Sequence, residues 1–166
     1  LCYMRQDTAF LPGEAVSQRV IGPWLARMFD RIITVDPHLH RTSDIGEALP
    51  GAEAQALSAT SLMAGLIQRD QNVDDIVLVG PDSESRQWVA RIAAPLAVPA
   101  MIGAKVRDGD RQVRIDIPNV ELADGRTAYI VDDMVSSGMT LATCARGLIE
   151  AGARRVEVVV VHALCS

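Results

Sequence analysis

Positive charge is in short supply in this chain. Sixteen basic against twenty-one acidic side chains leave a net charge of -5, the wrong sign for a general nucleic-acid binder. Any phosphate must therefore be held locally, by a few chosen groups or a metal. Long apolar runs are missing too: the uncharged stretch Ile92–Ala104 is 13 residues with Pro95 and Pro99 inside it, which cannot span a bilayer. Cysteine is sparse, and Cys2, Cys144 and Cys165 form no close pair and no metal-ligand spacing, which suits a reducing cytoplasm. Internal repeats, low-complexity tracts, an initiator Met and a signal-peptide pattern are all absent. Because the first residues already read like structured chain, the expectation is an interior piece of a longer protein, or a processed or partly ordered one. What is present, 166 residues at 49% hydrophobic and 22% charged, describes a globular protein of one ordinary domain or two small ones, long enough to bury a core.

Apolar residues at helical spacing from Ala15 to Phe29 predict an amphipathic helix, kinked at Gly22-Pro23 because proline removes a backbone donor. Arg31–Val35 reads as a short β-branched strand closed by Asp36-Pro37. The small and polar stretch from Arg41 to Ala56 reads as a linker, dividing the chain into 1–56 and 57–166. Beyond it, strand and helix alternate. Helices are expected over Leu57–Arg69, Glu84–Leu96 and Thr140–Ala151, and strands over Ile76–Gly80, Pro99–Lys105, Gln112–Ile117, Thr127–Val131 and Val156–Val161. The last strand is apolar enough to be covered on both faces. Such alternation means an α/β sheet with helices on both sides, and ligands at the carboxyl ends of its strands.

The densest chemistry lies at Tyr129–Thr140, YIVDDMVSSGMT. An apolar strand runs into Asp132 and Asp133, then a small loop, then a helix. Ser136, Ser137, Gly138, Met139 and Thr140 put backbone N–H groups and hydroxyls at a helix N-terminus, an anion cradle. Glycine at 138 lets the backbone come close to a phosphate. The two acids would repel a phosphate but suit vicinal sugar hydroxyls or a cation, so the segment describes a sugar-phosphate site. The plain alternative is a capped helix after an ordinary turn, but adjacent acids at a strand end are costly without a ligand.

Three further places collect functional groups. In Tyr3-Met4-Arg5-Gln6-Asp7, Arg5 can set a planar cation against a base or phosphate, and Gln6 can pair with an adenine edge or a sugar. His38, just past the Arg31–Val35 strand, can bind a metal bridging phosphates or donate to a phosphate oxygen. His40 gives it His-x-His spacing, although no cysteine or acid cluster nearby completes a zinc site. Asp82 follows the Ile76–Gly80 strand, where capping of the next helix is the plain reading. Finally, among fifteen arginines there is one lysine, Lys105, with Arg107 two residues on. A compact ammonium can follow a moving phosphoryl group as a rigid guanidinium fork does less well.

In order along the chain, RQD, VDPH, PD, KVR and VDDMVSSGMT, then GARRVEVVVVHAL, resemble the ribose-phosphate diphosphokinases (phosphoribosyl diphosphate synthetases). The VDDxxxxGxT element alone is shared with the phosphoribosyltransferases. The resemblance implies phosphoribosyltransferase-type (type I) Rossmann-like domains: residues 1–56 as the C-terminal part of a first domain, and 57–166 as a second carrying the ribose-5-phosphate loop. It implies transfer of the diphosphoryl group of magnesium-ATP to the anomeric hydroxyl of ribose 5-phosphate. Arg5, Gln6, Asp7 and His38 would meet ATP, and His38 and Asp82 the Mg2+. Lys105 and Arg107 would be catalytic, while Asp132, Asp133 and residues 136–140 would hold ribose 5-phosphate. A cytoplasmic homo-oligomer using small-molecule substrates, with no nucleic acid or membrane partner, is the corresponding expectation. A phosphoribosyltransferase, or a non-catalytic subunit associated with a synthetase, are the alternatives. The chain departs from the family at Arg41–Leu49, at Ser83-Glu84-Ser85 and at Met139.

Overall fold

The computed structural model of the chain describes residues 4, 6–39, 41–42, 44–70, 72–108 and 112–164, and the backbone alone at 70, 106–108 and 112–114. Contacts separate the chain into two units, Leu1–Ser58 and Ala59–Ser166.

In the first unit, helix α1 (Ser17–Met28) leads to strand β1 (Arg31–Val35), the short helix α2 (Ile45–Ala48) and strand β2 (Glu53–Leu57), which pairs in parallel with β1. The stretch expected to be a linker is therefore structured, and two of its features explain why. Asp44 caps α2 by accepting from the Gly46 amide at 2.9 Å, as short acids before a helix do. Ile45, Ala48 and Leu49 are then buried with Met4, with Ile21, Leu25 and Ile32 packed against them. Helix α1 continues through Pro23, and its glycine has a packing reason rather than a kinking one. A Cβ on Gly22 would lie 1.7 Å from the Ala48 carbonyl oxygen, so only glycine lets α1 and α2 approach this closely.

In the second unit, helix α3 (Thr60–Asp70) precedes strand β3 (Ile76–Gly80), helix α4 (Arg86–Leu96) and strands β4 (Ala100–Ile102), β5 (Ala104–Asp108) and β6 (Gln112–Asp116). Strand β7 (Thr127–Val135), helix α5 (Met139–Glu150) and strand β8 (Arg155–Ala163) complete it. Four strands form a parallel sheet in the order β4-β3-β7-β8, and β5 and β6 form an antiparallel hairpin. The period-2 alternation of a strand divides the core. Ile76, Leu78, Tyr129 and Val131 meet Met63 and Ile67 of α3 and Trp88, Val89 and Ile92 of α4. The intervening Val77, Val79, Ala128 and Ile130 meet Leu141, Cys144 and Leu148 of α5. Helices thus cover both faces, as the alternation of elements predicts.

Two expectations are corrected. Strand β8 is an edge strand with no fully buried residue, so its apolar run reflects partial cover, and it is β3 that is buried throughout. Strand β7 also continues past Val131 to Val135, which places both aspartates inside the ladder rather than beyond it.

The expected single strand from Pro99 to Lys105 is broken at Gly103, and this break positions the site. The Gly103 amide donates to the Gly80 carbonyl at 2.7 Å. A Cβ there would lie 2.7 Å from the Pro81 carbonyl oxygen and 2.8 Å from Ile115 Cγ2. The backbones meet because neither carries a side chain between them, and β5 leaves the sheet directly over the turn that follows β3. Gly103→Ala is expected to lower unfolding free energy by about 2 kcal/mol, the usual cost of forcing atoms into a packed site. Denaturant unfolding checks this, and an unshifted midpoint would show that the junction relaxes freely.

Candidate functional site

The apolar start of β7 carries two acids to the carboxyl end of the parallel sheet. Asp133 is buried at 3% exposure, and its amide donates to Asp132 Oδ1 at 3.0 Å. Asp132 is half-buried. Burial, followed by the charge of Asp133, pushes the Asp132 carboxyl up to about 7, with Asp82 adding to the rise and Lys105 opposing it. Desolvation disfavours the charged form, and a like charge nearby disfavours it further. On the α5 side, burial and then the charge of Asp132 push the Cys144 thiol up to about 12, which makes it a packing residue and not a nucleophile. The sheet end therefore holds negative charge that the protein only partly compensates.

Three residues past the end of β7, Gly138 has φ +73, a left-handed conformation that favours glycine. It serves as N-cap of the 12-residue α5 and supplies no side-chain cap bond. Ser136, Ser137 and Met139 are exposed, and Thr140 is partly so. The first turn of α5 thus lies among three hydroxyl-bearing side chains, with Ser137 Oγ accepting from the Met139 amide at 3.5 Å, and helix-start amides in such a setting receive an anion.

Asp82 and Lys105 meet beside this end of the sheet. Asp82 Oδ1 accepts from the Glu84 amide at 3.0 Å, so it caps the short 3-10 turn Ser83–Ser85 that leads into α4 rather than α4 itself. Its Oδ2 lies 2.6 Å from Lys105 Nζ, with the carboxylate 14% and the lysine side chain 46% exposed. Since Asp132 feels both charges, Asp82, Lys105, Asp132 and Asp133 form one electrostatic group. Among the described residues, no group of three or more His, Cys, Asp or Glu side chains is arranged to hold a metal. The carboxylates are hard oxygen donors whose charge is incompletely balanced. That fits a magnesium-type ion completed by water and ligand phosphate oxygens.

In the first unit, Gln6 accepts from both the amide and the hydroxyl of Ser17, and its carbonyl accepts from the Gln18 amide. It therefore caps α1 from eleven residues away. Asp7 Oδ1 lies 2.6 Å from Arg41 Nη1, and its Oδ2 is buried with no hydrogen-bond partner among the described residues. Both residues line a cleft of about 520 Å³ with Gln18, Thr42 and Glu47. His38 is half-buried in the turn after β1. Asp36 builds that turn: it is buried, has φ +37, accepts from Ser58 Oγ at 2.9 Å and donates its amide to Leu57 O. Buried strain at a non-glycine residue marks a position that its surroundings over-determine. Arg5, His40 and the side chain of Arg107 lie outside the described residues.

The sequence reading missed Asp36, Arg41 and Gly103. The Asp-Pro pair was a visible signal for the first, but it reads equally as a plain strand stop. Arg41 and Gly103 owe their roles to neighbours distant in sequence.

Residues 51–164 match the family model described as Phosphoribosyl transferase domain. The chain is 30% identical over 164 residues to a ribose-phosphate pyrophosphokinase of Methanopyrus kandleri, covering 99% of this chain and 55% of that protein. It is 31% identical to ribose-phosphate pyrophosphokinase 2 of Archaeoglobus fulgidus, covering 98% and 56%. The crystal structure of phosphoribosylpyrophosphate synthetase from Mycobacterium smegmatis superposes with a TM-score of 0.80 at 30% identity, over 98% of this chain and 51% of that one. A hypoxanthine phosphoribosyltransferase from Staphylococcus aureus, at 15% identity and TM-score 0.52 over 61% of this chain and 58% of that one, shares the fold. The chain spans about half the length of the curated relatives it matches.

The raised Asp132 carboxyl fixes a pH dependence. Between about pH 4 and 7 the unfolded chain gives up this proton while the folded one keeps it, so stability falls as pH rises through that window. Asp132→Asn removes the effect and preserves the bond to the Asp133 amide. Its unfolding free energy should exceed the parent's by about 1–2 kcal/mol at pH 8, after discounting for solvent screening at this half-open site, and should match it near pH 4. Thermal melts across pH check this, and a less stable variant at pH 8 would mean that the acid is held by a favourable partner.

Proposed function

This chain belongs to the phosphoribosyl transferase domain family, and on that premise we propose that it is part of a ribose-phosphate diphosphokinase, forming phosphoribosyl diphosphate and AMP from ribose 5-phosphate and ATP. The observation that carries this reading is the joining of two features at one sheet end. An acid pair with an anion-receiving loop suits a sugar phosphate, and a lysine stands in the same electrostatic group as those acids. The loop alone would serve any user of phosphoribosyl groups; the lysine suits the moving phosphoryl chemistry. Relatives that match nearly the whole chain and bear the pyrophosphokinase name support it.

The anomeric oxygen of ribose 5-phosphate attacks the β-phosphorus of ATP. The bond from that phosphorus to the α–β bridging oxygen breaks, AMP leaves with that oxygen, and the hydroxyl proton passes to solvent. Such a transfer needs alignment and charge stabilisation more than covalent help. Asp132 and Asp133 accept from the ribose hydroxyls, which relieves their mutual repulsion. Ser136, Ser137, Gly138, Met139 and Thr140 receive the 5-phosphate through backbone amides and the three hydroxyls. Lys105 and Arg107 neutralise the diphosphoryl group in transit. Arg5, Gln6, Asp7 and His38 are assigned to ATP, with the unmet Asp7 oxygen suited to an N–H donor. His38 and Asp82 are each assigned to the magnesium-nucleotide, whose ion when bound supplies charge neutralisation on the polyphosphate. A homo-oligomer in the cytoplasm is the corresponding expectation for the whole protein.

The decisive experiment is AMP release by the full-length protein with and without ribose 5-phosphate. Release that depends on the sugar phosphate is expected; pyrophosphate release that depends on a nucleobase would replace this reading by a phosphoribosyltransferase. Lys105→Ala should lower kcat by about 10²–10⁴-fold, the range for a lost transition-state contact, while ribose 5-phosphate affinity changes little. Equal loss of both would remove Lys105 from the chemical step. Replacing Asp132 and Asp133 together by Asn should weaken ribose 5-phosphate binding by about tenfold or more in calorimetry, and retained affinity would make the acids structural.

A further inference from the structure

The roles proposed above for Asp82 and Lys105 compete for the same atom. Lys105 Nζ lies 2.6 Å from Asp82 Oδ2, while Oδ1 accepts from the Glu84 amide. A cation drawn to Oδ2 would meet the lysine there, and the two positive charges repel at that distance.

The two partners differ in freedom. Asp82 sits on a braced turn: Ser85 Oγ donates to its carbonyl at 2.6 Å, Ser85 is buried, and Gly103 bonds to Gly80 just before the turn. A Cβ on Gly80 would lie 2.2 Å from Ser85 Oγ and 2.8 Å from Ile102 Cδ1, so this turn packs without slack. Lysine has a flexible four-carbon stem, and the Lys105 side chain is 46% exposed. When the pair parts, the ammonium moves and the carboxylate stays.

We propose that Asp82 is a positioning residue that berths Lys105 over the strand ends and surrenders it to a divalent cation, so that Oδ2 holds either the ammonium or the metal but not both. A cation arriving with a polyphosphate then frees the amine as its phosphoryl target arrives. The order of events follows from charge. With the metal away, the lysine is held against a carboxylate and offsets its charge beside Asp132. With the metal bound, the carboxylate is neutralised by the ion and the ammonium is released toward the phosphate oxygens. The ion pair itself stands without the proposed reaction; only the delivery of the cation by a nucleotide rests on that reading.

Lys105 is the only lysine in these residues, so blocking it leaves trypsin one modified peptide, Ile92–Arg107, in which to measure it. In the full-length protein, limited acetylation of Lys105 should run about three- to tenfold faster in Asp82→Asn than in the parent, the scale of a partly exposed ion pair. Asparagine keeps the Oδ1 acceptor for the Glu84 amide, so the turn is preserved. Saturating Mg2+ should accelerate the parent similarly and leave the variant unchanged. Equal acetylation of parent and variant overturns the berth, and a parent insensitive to Mg2+ overturns the exclusion. A second arm stands even if Asp82→Asn fails to fold. Lys105→Met should bind Mn2+ more tightly by about the same factor in a spin-resonance titration, because the competing ammonium is gone; no gain in affinity overturns the proposal. Neither arm requires turnover, so absence of AMP release would dismiss the reaction and leave the berth standing.

Discussion

The molecule is organised around negative charge placed where a buried parallel strand runs out of apolar residues. Strand β7 begins with five fully buried residues, which commits its next two positions to the margin between core and solvent. Acids there are desolvated from below and repelled by each other, and neither the hairpin lysine nor the local backbone bond restores an ordinary Asp132 carboxyl. A cost of this kind persists only where something else offsets it. In a site that receives hydroxyl donors, a cation or both, the offset comes from the ligand, and the same acids become the reason the ligand binds.

The rest of the second unit serves that strand end. Helices α3 and α4 cover one face of β3 and β7 and α5 covers the other, so the sheet is stiff where the acids emerge. A short loop, residues 136–138, joins β7 to α5 and ends in the left-handed turn at Gly138, so the helix-start amides follow the carboxylates closely along the chain. Two glycines, 80 and 103, let the turn after β3 and the start of the β5–β6 hairpin approach at backbone distance. Opposite charges are thus brought together by packing rather than by chain proximity.

The first unit uses different means. Its small core depends on a glycine in α1 that admits the Ala48 carbonyl, and on a glutamine that caps α1 from a distant turn. Polar residues that look like ligand groups in the sequence can carry structural duties at the same time. Gln6 and Asp82 each cap a helical turn with one oxygen, while Asp7 has one oxygen in an ion pair and one with no hydrogen-bond partner among the described residues.

Sequence alone determined the alternation of strands and helices in residues 57–166, because burial period is written into apolar spacing: Trp88, Val89, Ile92 and Leu96 predict the buried face of α4 and occupy it. It also determined that residues 132–140 pair acids with an anion-receiving turn, since those chemical types are contiguous. It misjudged Arg41–Ala56, whose small and polar residues form a capped helix and a strand once β1 and α1 are there to pack against. It misjudged the cover on β8, because an apolar run does not say which strand lies at a sheet edge. The pairing of Asp82 with Lys105, the strain at Asp36 and the break at Gly103 were decided only by tertiary structure. Each depends on groups brought close by strand order and backbone contact, and the energy of a charge or a close approach is set by distance in space, which spacing along a chain does not encode.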